Sequence, residues 1–503
     1  MVDLLSKPPK RLTDKQVLLG LAAMTAVALF VALWTARTVN PLRGDSYEYL
    51  YFDPSRSVGY PAFLALIRLI TGQVALAVPA QTLLLAGSLL ALGWSFYKFC
   101  GRASFSFVFM AIVLSLAAMW YDSAFLMTES MSTALVAVWC AQLLRMINAP
   151  PSIRGTALLV TVSALATMVR PSLIALFFAA AIFLFVTQSG RERWWSLLAV
   201  GAGLVLAWGA TPVAQLLVHG SARTTSPFAR GVLQHTLFCD PDAVPRDADA
   251  QFVEQSAAPV RRYIETAPPH LQRQLRRSYS TLLRMSSIIP VLGRRHHLDM
   301  RSQVDPYLSR IANERVRANP SCYATSVLGE YARMAIFASD PTTADARRFN
   351  AFIQTHPPVE VTQYPRLPGD EQWVRRAANE VHKPFSQQPE RQDLKVSAKA
   401  PLLAILPIRI VFGGAALLGL LSLLGLPFKR RLPPQFQQIV PATAAMGVVF
   451  HGTLIITAIV EIGFFRYLVP VWPIVCTLVA VMAVGLVNWP RRGPATATPG
   501  LTA

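Results

Sequence analysis

The chain has 503 residues, 53% of them hydrophobic and only 15% charged, with a mean hydropathy of +0.40. A soluble domain carries about a quarter charged residues, so this composition argues against an ordinary soluble enzyme. The net charge of +20 would suggest nucleic acid in a soluble chain. Here much of the excess sits at the ends of apolar runs, and no aromatic-basic pattern for base stacking stands out, so nucleic acid is set aside.

In chain order, a basic stretch (Lys7, Lys10, Arg11, Lys15) precedes a first apolar run, Val17–Trp34. It is long and lacks a clear cleavage site, which reads as a retained helix and not a removed signal peptide. Further runs follow at Val74–Phe96, Ser104–Trp120, Ser130–Leu144, Gly155–Met168, Ser172–Val186 and Trp195–Val218, then at Leu403–Leu426, Ile439–Val460 and Val469–Val487. Crossing ~30 Å of hydrocarbon takes ~20 mostly apolar residues, and backbone amides in lipid must be satisfied internally. The expectation is an all-α polytopic membrane protein of about ten transmembrane helices. Tyr60–Ile70 is too short to cross and begins at Gly-Tyr-Pro, so it reads as a helix at the membrane interface.

The chain divides into an N-terminal membrane module (1–218, with its first outer loop at 35–73), a polar segment (219–402), a C-terminal module of three spans (403–488) and a tail (489–503). The polar segment carries helical patterns at Gln272–Met285 and Val304–Val316. The more apolar stretches Leu282–Leu292 and Tyr323–Phe337 suit packing on the membrane or on a catalytic face. Arg366–Lys399 reads as a mobile linker and the residues after Gly493 as a disordered tail. No internal repeat is visible, which weakens an inverted-repeat transporter.

Orientation follows from the distribution of Lys and Arg. With the N-terminus inside, every inner connection is basic: Lys98 and Arg102, Arg145 and Arg154, Arg191 and Arg193, Lys429 to Arg431, Arg491 and Arg492. The outer connections hold Asp45, Glu48, Asp53, Asp122, Glu129, Arg170, Glu461 and Arg466. The first outer loop also has four arginines, Arg37, Arg43, Arg56 and Arg68, so the asymmetry is imperfect there. Both termini and the tail are expected in the cytoplasm, and the polar insert outside.

The first outer loop collects Asp45, Glu48, Tyr49, Arg56 and Tyr60 at the foot of a helix. Asp122 and Glu129 are seven residues apart in the second, a spacing that shares one face if both lie on a helix. Acids at the membrane edge are costly if buried, hence functional candidates; the bland alternatives are solvated loop charges or helix N-terminal residues. Arg170-Pro171 interrupts Gly155–Val186 and marks the outer turn of a helical hairpin. Arg170 there can grip a phosphate bidentately or snorkel to headgroups. The same readings compete for Arg466, beside Tyr467, with an ion pair to Glu461 as a third.

Cys100, Cys140 and Cys476 lie in or beside apolar runs and read as packing residues. Cys239 and Cys322 both fall in the outer segment, where a disulfide is as compatible with the sequence as two free thiols. The histidines lack metal-ligand spacing, and no nucleotide loop, redox Cys pair or nucleophile elbow is present. His451 within its span reads as a hydrogen-bonded packing residue.

Several short motifs together resemble one family. Asp45-x-x-x-Tyr49 followed by Arg56-x-x-Gly59-Tyr60-Pro61-Ala-Phe63-Leu64 is similar to the first outer loop of the GT-C membrane glycosyltransferases, in the style of bacterial protein O-mannosyltransferases and the lipid A aminoarabinose transferase. Met127-Thr128-Glu129-Ser-Met131, Val169-Arg170-Pro171 and Arg466-Tyr467-Leu-Val-Pro470 resemble its later elements in the right order. Val58 stands where a proline often precedes Gly-Tyr-Pro, and the second acid is a glutamate with Asp122 nearby. The match covers the membrane part, and the polar insert resembles nothing recognisable.

The resemblance implies transfer of a sugar from a polyprenyl phosphate to an acceptor hydroxyl of a glycan, lipid or protein, at the periplasmic face of a bacterial inner membrane. Asp45 would act as general base. Glu129 or Asp122 would orient the acceptor or hold a divalent cation (Mg or Mn), the one cofactor considered. Arg170 and Arg466 would neutralise the leaving phosphate, with Glu48, Tyr49, Arg56, Tyr60 and Tyr467 completing the binding site. Other classes compatible with the sequence are a lipid-linked glycan flippase or transporter, and a non-catalytic subunit of polysaccharide assembly or export. Lipid-linked oligosaccharide polymerases and ligases are near neighbours of the leading reading.

Overall fold

The computed structural model describes residues 12–37, 41–42, 46–50, 52–53, 56–149, 152–220, 228–237, 239, 247–269, 272, 285–298, 304–336, 402–460 and 465–487. The linker expected at 366–399, the tail after Gly493, and most of the helix expected at Gln272–Met285 lie outside these residues. Among the described residues every regular element is helical. In chain order they are α1 (Asp14–Ala36), α2 (Ser46–Leu50), α3 (Gly59–Thr71), α4 (Ala77–Cys100), α5 (Ala103–Leu114), α6 (Ala117–Asp122), α7 (Thr128–Asn148), α8 (Ile153–Val169), α9 (Ala175–Thr187) and α10 (Gly190–His219). The polar segment contributes α11 (Phe228–Thr236), α12 (Ala248–Thr266), α13 (Met285–Arg295), α14 (Asp305–Ala318) and α15 (Pro320–Ala335). The chain then returns through α16 (Leu402–Gly425), α17 (Pro434–Val460) and α18 (Trp472–Val487).

Seven helices among the described residues are long and apolar enough to cross a membrane: Asp14–Ala36, Val74–Cys100, Thr128–Asn148, Gly190–His219, Ile408–Arg431, Phe436–Ile459 and Leu468–Val487. The other three expected spans correspond to shorter apolar helices, and the chain supplies the reasons. The run expected at Ser104–Trp120 breaks where Leu116 is extended, so α5 stops and α6 begins anew. In the Gly155–Val186 stretch Arg170 is extended because the residue before a proline is pushed out of the helical region, and Pro171–Ile174 forms a tight 3₁₀ turn before α9.

The bundle core runs through α4, α7, α17 and α18, whose apolar side chains, including Trp139 and Trp472, share one buried cluster. Helices α16 and α17 approach so closely that a Cβ on Gly447 would stand 2.8 Å from the Gly419 backbone. Small residues at such crossings let helices pack without a side chain between them. His451 bridges here: its Nε2 is 3.0 Å from the Ala416 carbonyl, which requires N–H, so Nδ1 accepts from the Tyr331 hydroxyl at 2.7 Å. Cys140 and Cys476 are buried in the core, as packing residues would be.

The polar segment has its own core, built from Leu233, Val253, Ile264, Leu292, Leu308 and Ile311 among others. Arg315 is buried in it, paired with Glu254 at 3.1 Å and donating to the Thr236 carbonyl at 3.0 Å. Cys239 and Cys322 form a disulfide joining the end of α11 to the first turn of α15.

The helix connections segregate to two ends. Asp14, at the start of α1, pairs with Lys98 at the end of α4, and Asn148, at the end of α7, donates to the Lys98 carbonyl at 3.1 Å. At the opposite end, Pro41, Ser57, Leu126 and Val169, from three connections read as outer, are joined by hydrogen bonds.

A candidate site at one end of the helix bundle

The first outer loop is pinned to three other parts of the chain. Leu126 N–H donates to the Pro41 carbonyl at 2.9 Å. The Ser57 hydroxyl donates to the Val169 carbonyl at 3.0 Å, and Val58 N–H to Thr211 of α10 at 3.3 Å. Gln215 donates to the Asp53 carbonyl at 3.3 Å, and the His219 ring reaches the Phe52 carbonyl at 2.8 Å. Phe52 has φ 52°, in the left-handed region that a phenylalanine seldom adopts. That turn brings Arg56 back onto Glu48.

Arg56 Nε donates to Glu48 Oε2 at 2.6 Å, its NH1 donates to the Tyr49 hydroxyl at 3.3 Å, and the guanidinium lies 4.9 Å from the Tyr49 ring centroid. Tyr49 meets Tyr60 edge-on with 5.2 Å between ring centroids. These rings sit in a small apolar cluster with Phe63, Leu64, Val78, Leu126 and Val169. The loop, the second connection and the Arg170 turn therefore share one packed unit. Gly59 makes the seam possible, since a Cβ there would stand 2.6 Å from the Met168 carbonyl carbon.

Glu129 sits in the first turn of α7, where a helix N-terminus favours a carboxylate. It is 3% exposed and its Oε1 lies 3.8 Å from NH1 of Arg170, itself 11% exposed. Tyr60 is buried and close enough to Glu129 to feel its charge. Asp122 is buried at the end of α6. It does not share a helix face with Glu129, contrary to the seven-residue spacing: α6 ends at Asp122, and α7 begins only at Thr128. The intervening turn is held from outside by Gln81 of α4, whose amide donates to the carbonyls of Ser123 at 2.8 Å and Phe125 at 2.5 Å. The Gln81 carbonyl accepts from the Tyr60 hydroxyl at 2.8 Å. Gln81 thus ties both loops together. Its only trace in the sequence is a lone amide inside an apolar run, a costly placement that signals a partner.

The segment carrying Arg466 and Tyr467, Phe465–Val471, packs beside α6 and α7. The side chains of Arg466 and Tyr467, and all of Asp45 and Glu461, lie outside the described residues. Among the described residues no three His, Cys, Asp or Glu side chains gather as a metal site. Chemically, the assembly offers a carboxylate–guanidinium pair at the bundle end beside a tyrosine-lined loop carrying a second such pair. No family model matches the chain, and comparisons with curated proteins and with solved structures return no match.

Proposed function

We propose that the protein transfers a sugar from a polyprenyl-phosphate donor to an acceptor hydroxyl at the periplasmic face of a bacterial inner membrane. The observation that carries this reading is the meeting of Glu129 and Arg170, from separate connections, within the packed unit that also holds Tyr60, Tyr49, Arg56 and Glu48. Motifs that are scattered in sequence but similar to GT-C elements converge on one end of the bundle.

On this reading the chain crosses the bilayer ten times, with the shorter helices α5–α6, α8 and α9 completing the count and α3 lying at the interface. Both termini are cytoplasmic. The Cys239–Cys322 disulfide supports placing the polar segment outside, since such bonds persist in oxidising compartments. The basic inner connections support the same orientation.

In the reaction, the Asp45 carboxylate takes the proton of the acceptor hydroxyl as its oxygen attacks the anomeric carbon. The bond from that carbon to the phosphate oxygen breaks, and polyprenyl phosphate leaves. A carboxylate gains the basicity this step needs when it is partly withdrawn from water. Arg170 and Arg466 stabilise the charge growing on the phosphate, the term that commonly contributes most. Glu129, 3.8 Å from the Arg170 guanidinium, holds that charge at the site by electrostatic attraction. The Glu48–Arg56 pair lines the sugar and acceptor side, backed by the buried rings of Tyr49 and Tyr60.

The test is incubation of the purified protein in liposomes with a panel of polyprenyl-phosphate sugars and candidate acceptors, followed by mass spectrometry. One donor should be consumed with release of polyprenyl phosphate. Movement of labelled lipid across the bilayer without any glycosidic product would overturn the proposal.

A further inference from the structure

We propose that α15, although it belongs by sequence to the polar segment, enters the bilayer as a re-entrant helix whose free face contacts the acyl chains of lipid. Two hydrogen bonds fix its depth against the membrane span α17. The Tyr323 hydroxyl donates to the Ile459 carbonyl at 3.3 Å, and the Tyr331 hydroxyl bonds His451 at 2.7 Å. Eight residues separate the two contact points on each helix, so α15 runs antiparallel along α17. At 1.5 Å per residue this carries Tyr331 about 12 Å below the end of the span. Phe436–Ile459 is the apolar stretch of α17, so His451 and Tyr331 lie at hydrocarbon level.

The side chains are arranged for lipid. The two charged residues of α15, Glu330 and Arg333, pair with each other and turn inward, with side chains only 6% and 10% exposed. The exposed stripe reads Ala324, Thr325, Leu328, Gly329, Ala332 and Ile336, with no charge and with Leu328 64% and Ile336 55% exposed. It becomes apolar toward the deeper end. In water the pattern would be reversed, as it is in the neighbouring α14, which exposes Arg310, Asn313 and Arg317. The buried faces divide in the same way. Val327, Met334 and Ala335 of α15 join the core of the membrane bundle, whereas Leu308 and Ile311 of α14 join the core of the polar segment. An inward-turned ion pair at such depth is what a charged residue in hydrocarbon requires. The proposal does not depend on sugar transfer.

The test is spin labelling of the full protein in liposomes. Cys100, Cys140 and Cys476 are first replaced by alanine, leaving the native disulfide. Single nitroxides are then placed by Thr325→Cys, Leu328→Cys and Ile336→Cys, with Asn313→Cys as the reference in α14. Collision with oxygen relative to a water-soluble nickel chelate should rise from 325 to 328 to 336, while 313 stays aqueous. Ratios at 328 and 336 equal to that at 313 would overturn the proposal. Should one labelled variant fail to fold, Ala332→Cys samples the same stripe and must give the same lipid signature.

Discussion

Replacing Gly59 by alanine puts a methyl group where the backbone of another helix already stands. The new Cβ would lie 2.6 Å from the Met168 carbonyl carbon and 2.7 Å from both the Met168 oxygen and the Val169 nitrogen. Carbon atoms in comfortable contact sit ~3.5–4.0 Å apart. A helix backbone cannot rotate away as a side chain can, so α3 must retreat by about 1 Å. Overpacking of this kind costs about 1–3 kcal/mol. The retreat also strains the 3.0 Å Ser57–Val169 hydrogen bond, a contribution of about 1 kcal/mol. A ~1 Å displacement of positioned groups can slow a reaction on the order of 100-fold. G59A should therefore unfold at lower temperature in detergent and release polyprenyl phosphate far more slowly. Gly87→Ala is the control: nothing lies within 4 Å of its Cβ, so stability should be unchanged or rise by about 0.5–1 kcal/mol. Wild-type melting and rate in G59A would refute the seam between the first loop and the Arg170 turn.

Gln81→Leu removes the donor to the Ser123 and Phe125 carbonyls, and thermal unfolding should register a loss of about 1–3 kcal/mol, together with weaker substrate affinity as the two loops separate. Cys322→Ser releases a bridge between residues 83 apart in sequence; the polar segment should lose about 2–5 kcal/mol and become sensitive to limited proteolysis, and unaltered protease resistance would contradict this. The Arg310 guanidinium beside Asp247 holds that carboxyl below its usual range, so the pair stabilises the fold fully above the unfolded carboxylate value of about 3.9. That contribution disappears as pH falls through the lower folded value. Asp247→Asn should be destabilised at neutral pH and show a flatter loss of stability in acid, measured by unfolding at a series of pH values.

The long apolar runs were legible because hydrocarbon thickness imposes a length, and the Arg170 break because proline restricts the residue before it. The spacing of Asp122 and Glu129 misled for a physical reason: Gln81, over forty residues earlier, holds the turn between them open. The Glu48–Arg56 pairing depends on the left-handed turn at Phe52, for which the sequence offers no glycine as a marker. Tyr323–Phe337 is visibly apolar, but its depth is set by Tyr331 meeting His451, a contact between positions 120 residues apart.

In the proposed reaction, acids and arginines from separate connections act as one site on a lipid-phosphate sugar. The most direct test is the rate of polyprenyl-phosphate release by wild type, Asp45→Asn and Glu129→Gln, each purified and matched for folding by thermal melting. Both variants should lose release by on the order of 100-fold or more, the scale of a general base or a positioning group. Folded protein that keeps the wild-type rate without the Asp45 carboxylate would contradict the account.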